Sequence, residues 1–468
     1  MLSLHAQRNG MHNLCNIQHI WIFTETCIQT HLDNTFEIPE ESVIKSIAEN
    51  ALKLKQANLS VDTVTNITVR HIEHPVNDGI IMDFLVKVSS SDDYFPVSVL
   101  IKKVTTSSSS IELQAYSTLF KDLQPVTMLN QRGNLYSLIP RPFMTQKQTI
   151  FLENLASSGF HSVERKSLFS LDFSHCLLAV ETLAKFHASS YFLRRQLGLK
   201  GKGKLEMLQK YPFLSQGASA YSQKQHSKLG VIYENAFELA CKLIESENPS
   251  LAFKLRRKVD PASVFDKVVT LLEDEKYEND DFYVVCHGNF HSENLLFKYD
   301  RNEPIECRIS NLDSIFFGPL ASDLALFLLT CTNFKFRSEF EEKLLAFYCD
   351  AFEEQLLARY NSNPLPDFDI EEFHRKLERQ YMKMLEFGFY NACILLPIML
   401  FQYNNPVNKF KGNEVHSIPN LLQENCLSTL FVNRDKGSEF ENFMLNSSFL
   451  KERLVEILKQ LAKCRVLL

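Results

Sequence analysis

The densest run of side chains that could do chemistry is His287-Gly288-Asn289-Phe290-His291-Ser292-Glu293-Asn294. Ile309-Ser310-Asn311-Leu312-Asp313 follows it, and then Gly318-Pro319-Leu320-Ala321-Ser322-Asp323-Leu324. Imidazoles, carboxamides and carboxylates at this density suit a loop that grips a polar ligand. The carboxamides of Asn289 and Asn311 accept hydrogen bonds but cannot take a proton near neutral pH, so neither can act as a general base.

Elements must exist to place such a loop. Two short strand-like runs, Tyr283 to Cys286 and Ile305 to Asn311, bracket it. Upstream, Phe173, Leu177, Val180, Ala184 and His187 step by four and three, the stripe of a buried helix. Helices dominate from there to the C-terminus, and the acidic run Glu273 to Asp281 reads as a solvated face. The first third is different. A helix opens at Pro39-Glu40-Glu41 and continues through Val43, Ile47, Ala51 and Leu54 to about Gln56. Strands are expected over Val61 to Ile72, Ile80 to Val88 and Val97 to Val104, with Asn77-Asp78-Gly79 turning between the first two. A helix with Ile111, Ala115, Leu119 and Leu123 on one face comes next, then strands near Leu135 to Ile139 and Thr149 to Leu152. The order β-β-β-α-β-β followed by helices gives an α+β fold: a small five-stranded lobe with one main helix, a hinge, and a larger, mainly helical lobe. Such an arrangement suits a nucleotide held in a cleft.

The motifs carry a more specific resemblance. Together with Ile150-Phe151-Leu152-Glu153-Asn154-Leu155 and Leu183-Ala184-Lys185-Phe186-His187-Ala188, they make the chain similar, over residues 37 to 460, to the ecdysteroid kinase-like family, also called CHK kinase-like. That family is related to choline kinases and aminoglycoside phosphotransferases and more distantly to protein kinases. The resemblance implies a protein-kinase-like two-lobed fold. Residues 1–36 are an extension of uncertain order, 37–152 the N-lobe, 153–160 the hinge and 161–468 the helical C-lobe, with the catalytic and metal loops inside 283–324.

It also implies roles. Lys102, in Val99-Leu100-Ile101-Lys102, holds nucleotide phosphates, and Glu112, with Tyr116 one turn on, keeps it aimed in an ion pair facing the cleft. Lys102 and Lys103 face opposite sides of a strand, so only one can serve. Backbone groups around Glu153 and Leu155 receive adenine, His187 is structural, and Asp323 steadies the catalytic loop. The phosphate-cradling loop between the first two strands is sparse, with only Gly79 beside Asn77 and Asp78.

Two departures decide the functional reading. The family motif is H-G-D-x-x-x-x-N, where the Asp accepts the substrate proton and the Asn ligates magnesium; here Asn294 is present but Asn289 stands at the Asp position. The second family acid, the Asp of D-F-Q, aligns with Asn311. Phosphoryl transfer depends on positioning and on neutralising charge, so losing both carboxylates weakens both contributions. Asp313 lies two residues on, displaced by roughly 6–7 Å along an extended segment; Asn294 and Asp313 are the residual candidate metal ligands. The expected function is therefore a pseudokinase that retains ATP or a small hydroxylated ligand, with the requirement for Mg2+ in doubt. The alternative is an active ATP-dependent phosphotransferase acting on a steroid or other small-molecule hydroxyl. A third class, a scaffold for a protein partner of unknown identity, needs no ligand.

Composition agrees with a globular protein. The 468 residues are 45% hydrophobic with only 14 Gly and 16 Pro, which excludes collagenous or disordered classes. A balance of 50 basic against 56 acidic residues, net charge −6, argues against nucleic acid as partner. Eleven cysteines without a C-x-x-C pair point to a reducing, cytoplasmic setting. The opening Met1 to Gln18 lacks the apolar core of a secretory signal. The longest apolar stretch, Cys393 to Phe401, falls well short of the roughly 20 residues of a membrane span.

Overall fold

The computed structural model describes residues 39–53, 61–71, 80–88, 93–104, 107–127, 134–164, 167–196, 203–215, 226–273, 283–359, 368–404, 430–431 and 434–466. The N-terminal extension, the turn at Asn77-Asp78-Gly79 and the acidic run after Glu273 lie outside them. The chain forms two compact units, Met1–Arg70 with Ile81–Val99, and His71–Ile80 with Leu100–Leu468.

In the first unit, helix α1 (Glu41–Lys53) starts with an acid in its first turn and buries Ile44, Ile47, Ala48, Ala51 and Leu52. Strand β1 (Val61–His71) precedes β2 (Ile80–Val88) and β3 (Tyr94–Lys103), ordered β1-β2-β3. In β2 the side chains Met82, Phe84, Val86 and Val88 are buried in strict alternation, as expected of a half-buried strand. The Ser98 hydroxyl donates to Asp83 between β3 and β2.

The end of β3 enters the second unit, where the order continues β3-β5-β4. After it come α2 (Ser107–Gln114), a wider π turn over Ala115–Leu119, and α3 (Phe120–Thr127). The expected stripe Ile111, Ala115, Leu119 and Leu123 is buried. The strand expected at Leu135 to Ile139 is instead a 3-10 turn, Leu135–Ser137. Asn134 explains it: its side chain accepts the Tyr136 N–H and caps the turn, while Leu135 and Ile139 both go inward one helical turn apart. The strand at this point is β4 (Pro142–Gln146), which pairs antiparallel with β5 (Thr149–Glu153) and carries an irregularity between Pro142 and Met144.

Beyond β5, Asn154 caps a 3-10 turn over Leu155–Ser158 that ends on Gly159 at φ +85°, a conformation glycine adopts without Cβ strain. The chain then forms β6 (Phe160–His161) and α4 (Phe173–Gln196). Helices α5 (Gly203–Lys210), α6 (His226–Glu247), α7 (Pro249–Lys258) and α8 (Val264–Glu273) lead to β7 (Tyr283–Cys286), β8 (Leu295–Asp300), β9 (Glu303–Ile309) and β10 (Phe316–Pro319). Two expected strand runs thus become five: β7 pairs with β10, and β8 lies between β6 and β9.

Helices α9 (Ala321–Cys331), α10 (Phe334–Arg359), α11 (Ile370–Asn404), α12 (Arg434–Leu445) and α13 (Ser448–Lys463) complete the unit. Every residue of α9 is buried. Gly388 of α11 lets it in: a Cβ there would sit 3.0 Å from the Ala325 carbonyl oxygen, so the two helices meet backbone to side-chain-free backbone. The stretch Ile370–Phe401 is long and apolar enough to cross a membrane by composition, and 83% of its apolar window is buried inside the fold. Burial in a protein core accounts for that apolarity.

Candidate active site

Strand β7 delivers the chain into the His287 loop, and α9 holds it there through one carboxylate. Asp323, 1% exposed, accepts the backbone N–H groups of His287 at 2.6 Å and Gly288 at 2.9 Å. It also meets His187 Nε2 at 3.1 Å, and His187 Nδ1 meets the Tyr348 hydroxyl at 2.7 Å. The structural readings of His187 and Asp323 agree with this network. Donor atoms of His187, Cys286 and Asp323 lie within 4.8 Å of one another, a grouping that could suggest a metal. Each is already committed: the carboxylate accepts three bonds, and burial with the Asp323 charge pushes the Cys286 thiol well above its ordinary range.

Gly288 has φ +78°, and a Cβ on it would fall 2.1 Å from the Ser314 carbonyl oxygen. Only glycine fits, so the first loop lies directly against the second. His287 donates from Nε2 to the Ser310 carbonyl at 2.9 Å and accepts the Asn289 N–H at Nδ1, 3.2 Å. Burial lowers its pKa, which keeps the ring in this neutral tautomer.

Asn294 closes the loop from its other end. Its Nδ2 donates to the Asn289 carbonyl at 2.7 Å and reaches His291 Nε2 at 3.3 Å. That fixes the amide orientation, because a carbonyl oxygen accepts only from the NH2 side. The Oδ1 atom is buried and makes no hydrogen bond within the described residues. His291, 3% exposed, likewise leaves Nδ1 without a partner. Burial, with the neighbouring His287, pushes its pKa down to about 3, so the ring is neutral. Nothing in the spacing singles out His291 beforehand, since an imidazole in a polar loop is ordinarily solvated.

The second loop is not the extended segment expected from sequence. Asn311 sits at φ +61°, the left-handed region that Asn tolerates better than most residues, and Asp313-Ser314 form a turn. Asp313 is therefore not simply translated along a strand from Asn311. Its carboxylate accepts the Ser314 hydroxyl at 2.9 Å. Burial raises its pKa to about 6, the Glu112 charge adding to the rise and Lys102 opposing it.

The expected ion pair is formed. Lys102 Nζ, on a residue 9% exposed, lies 3.1 and 3.0 Å from the two oxygens of Glu112, 3% exposed, while Lys103 on the alternate face is exposed. Glu112 Oε1 also accepts the Leu312 N–H at 3.3 Å, a link across 200 positions of sequence. Tyr116 is buried one turn on and donates to the Pro140 carbonyl at 3.1 Å.

At the hinge position, the Glu153 N–H donates to the Arg141 carbonyl at 2.8 Å and its carboxylate pairs with Arg308 at 3.0 Å. Arg308 stacks on Phe160, 4.7 Å from the ring centre. Leu155 is buried at the head of the 3-10 turn. The Glu153 side chain is thus structural in its contacts.

A divalent metal requires hard oxygen ligands, usually with carboxylates among them. The fit is partial: Asn294 offers a free buried oxygen, Asn311 offers only a neutral one, and Asp313 is the carboxylate on the same loop.

No match to a curated protein was found. Among solved structures, the chain is similar to the ethanolamine kinase of Plasmodium vivax, at 12% identity and TM-score 0.38 over 79% of this chain and 83% of that one. It is also similar to a choline kinase of Streptococcus pneumoniae, at 14% identity and TM-score 0.29 over 71% and 98%. A third is a choline/ethanolamine kinase family protein of Mesorhizobium loti, at 9% identity and TM-score 0.28 over 89% and 99%. The sequence of residues 84–361 matches the profile of the ecdysteroid kinase-like family, and with that span covering more than half of the chain, this α+β protein belongs to the ecdysteroid kinase-like family.

Proposed function

We propose that this member of a kinase-like small-molecule phosphotransferase family is a pseudokinase that binds ATP without transferring phosphate efficiently. The observation that carries the reading is the pair Asn289 and Asn311, which leaves both loop positions without a carboxylate. Asp323, the acid bonded to the backbone of the first loop, has its oxygens filled by N–H groups and His187, so it is not free to accept a substrate proton. The neighbouring imidazoles do not replace it: His287 is fully engaged, and burial holds His291 too weakly basic to serve near neutral pH. Nucleotide retention is supported by the Lys102–Glu112 pair, a buried cation held in place for a polyphosphate.

A second reading draws on Asp313. Its carboxylate lies in the electrostatic field of Lys102 and Glu112, where it would neutralise or orient charge for an active ATP-dependent phosphotransferase acting on a steroid or other small-molecule hydroxyl. A cytoplasmic setting is supported by Cys176, Cys241, Cys286, Cys307, Cys331, Cys349, Cys393 and Cys464, all free thiols.

Thermal shift with ATP, paired with phosphate transfer to a panel of ecdysteroids and simpler alcohols, separates these readings. The proposal expects a shift with turnover far below the roughly 1 s⁻¹ of an ordinary enzyme. Turnover at that level establishes the second reading, and no shift with any nucleotide leaves a scaffold.

A further inference from the structure

We propose that Arg453 of helix α13 is a positioning residue that clamps the His287 loop through two backbone carbonyls. That the clamped loop serves a ligand rests on the nucleotide reading, but the clamp is read out on the loop itself, so the two can fail separately. Arg453 lies outside residues 84–361, the stretch that matches the family profile.

Arg453 is 4% exposed, and its hydrogen bonds to described residues go to backbone carbonyls, those of Phe169 and Thr332. A guanidinium taken out of water needs such partners, and its planar fork can span two acceptors at once. Burial, with Arg337 nearby, lowers its pKa to about 10, which leaves it charged at neutral pH. The guanidinium also lies 5.6 Å from the centre of the Phe449 ring, and that ring meets Phe169 at 5.0 Å.

Each of the two carbonyls belongs to a segment that grips Ser292, a buried residue two positions before Asn294. Next to Phe169, the Leu168 carbonyl accepts the Ser292 hydroxyl at 2.7 Å. Next to Thr332, the Cys331 sulfur accepts the Ser292 N–H at 3.2 Å. The Leu171 N–H donates to the Cys331 carbonyl at 2.9 Å and ties the two segments together, and Arg453 bridges the same two from another helix. Ser292 opens the 3-10 turn Ser292–Asn294, so its placement sets that of Asn294.

Helix α9 thereby holds the loop at both ends. Asp323, in its first turn, takes the His287 and Gly288 N–H groups, and Cys331, its last residue, takes Ser292. Cations suit the carbonyls at a helix C-terminus. Arg337 donates there to Leu328 and Thr332, whereas the Phe169 carbonyl accepts from Arg453 alone among the described residues. Loss of Arg453 is therefore not made good by Arg337.

The test is amide hydrogen exchange of the full chain, followed at Ser292 in wild type, Arg453→Met, Arg453→Lys and Leu458→Ala. Methionine keeps an unbranched stem without donors, lysine returns a cation without the two-pronged fork, and Leu458 is a buried apolar residue of the same helix. An N–H held by sulfur is weakly held, so Ser292 exchange responds to small displacements. Arg453→Met is expected to speed it about tenfold beyond what the variant's loss of global stability explains, with Arg453→Lys in between. Leu458→Ala is expected to change it only in step with global stability. Ser292 exchange that follows global stability alone in all three variants overturns the proposal. Should Arg453→Met not fold, wild type in rising urea decides: Ser292 is expected to open together with the amides of α13, and Ser292 opening while α13 stays protected overturns the proposal. A wild type that binds no ATP while Ser292 responds as expected supports the clamp and removes the nucleotide reading.

Discussion

Glu112 holds Lys102 with both carboxylate oxygens, at 3.1 and 3.0 Å, and one of those oxygens also takes the Leu312 N–H of the second loop at 3.3 Å. A single acid thereby fixes the candidate phosphate-binding cation and the loop that carries Asn311 and Asp313. Any loss of Glu112 is felt at both.

The first prediction concerns this pair. Breaking a buried ion pair from one side leaves an uncompensated charge and costs about 3–5 kcal/mol, whereas removing both charges is often far milder. Lys102→Met and Glu112→Gln are each expected to lower unfolding stability, and the double variant by clearly less than the sum. Urea denaturation of the four proteins measures the coupling. Additive effects would mean that the two side chains do not depend on each other.

Asp323 sets the second prediction. Asp323→Ala strands the N–H of buried His287, the N–H of half-buried Gly288 and one nitrogen of buried His187. At about 1–3 kcal/mol for a buried unsatisfied group, the loss is expected to reach several kcal/mol and to exceed that of Asp313→Asn. Paired melting curves check the order, and the reverse order would contradict the structural role assigned to Asp323.

The third prediction is a pH dependence. His291 has a folded-state pKa pushed down to about 3, against about 6.5 for an exposed imidazole. Between those values the unfolded chain binds the proton and the folded chain does not, so stability is full above the unfolded value and declines as pH falls through the window. One proton amounts to about 1.4 kcal/mol per pH unit at most. Lowering pH from 6 to 5 is therefore expected to cost wild type about 1 kcal/mol more than His291→Gln, read from denaturation midpoints. Equal losses would place a charged His291 in the folded protein.

How much of this was legible beforehand depends on how local the signal was. The alternation of Met82, Phe84, Val86 and Val88 and the stripe of α4 are local patterns, and both elements form where the patterns lie. Leu135 to Ile139 has the composition of a strand, but one capping residue, Asn134, converts it to a turn, and the strand falls instead on the less apolar Pro142–Gln146. Lys102 and Glu112 were legible only through resemblance, since nothing in their spacing says that they meet. Glu112 and Leu312 are 200 positions apart and share no pattern. Asp313 was misplaced because a left-handed backbone at Asn311 is invisible in the residue type, even though Asn is among the residues that accept it.

The central claim is that Asn289 and Asn311 disable transfer, and one assay addresses it most directly. Single-turnover transfer from γ-labelled ATP to an ecdysteroid hydroxyl is measured under equal Mg2+ for wild type, Asn289→Asp, Asn311→Asp and the double variant. One substitution returns a proton acceptor and the other a metal-binding carboxylate, and groups that act as a unit recover together more than singly. The account predicts negligible transfer by wild type, little by either single variant, and a clear gain, at least tenfold over wild type, in the double variant. Wild-type transfer near 1 s⁻¹ or above, unchanged by the substitutions, would contradict it.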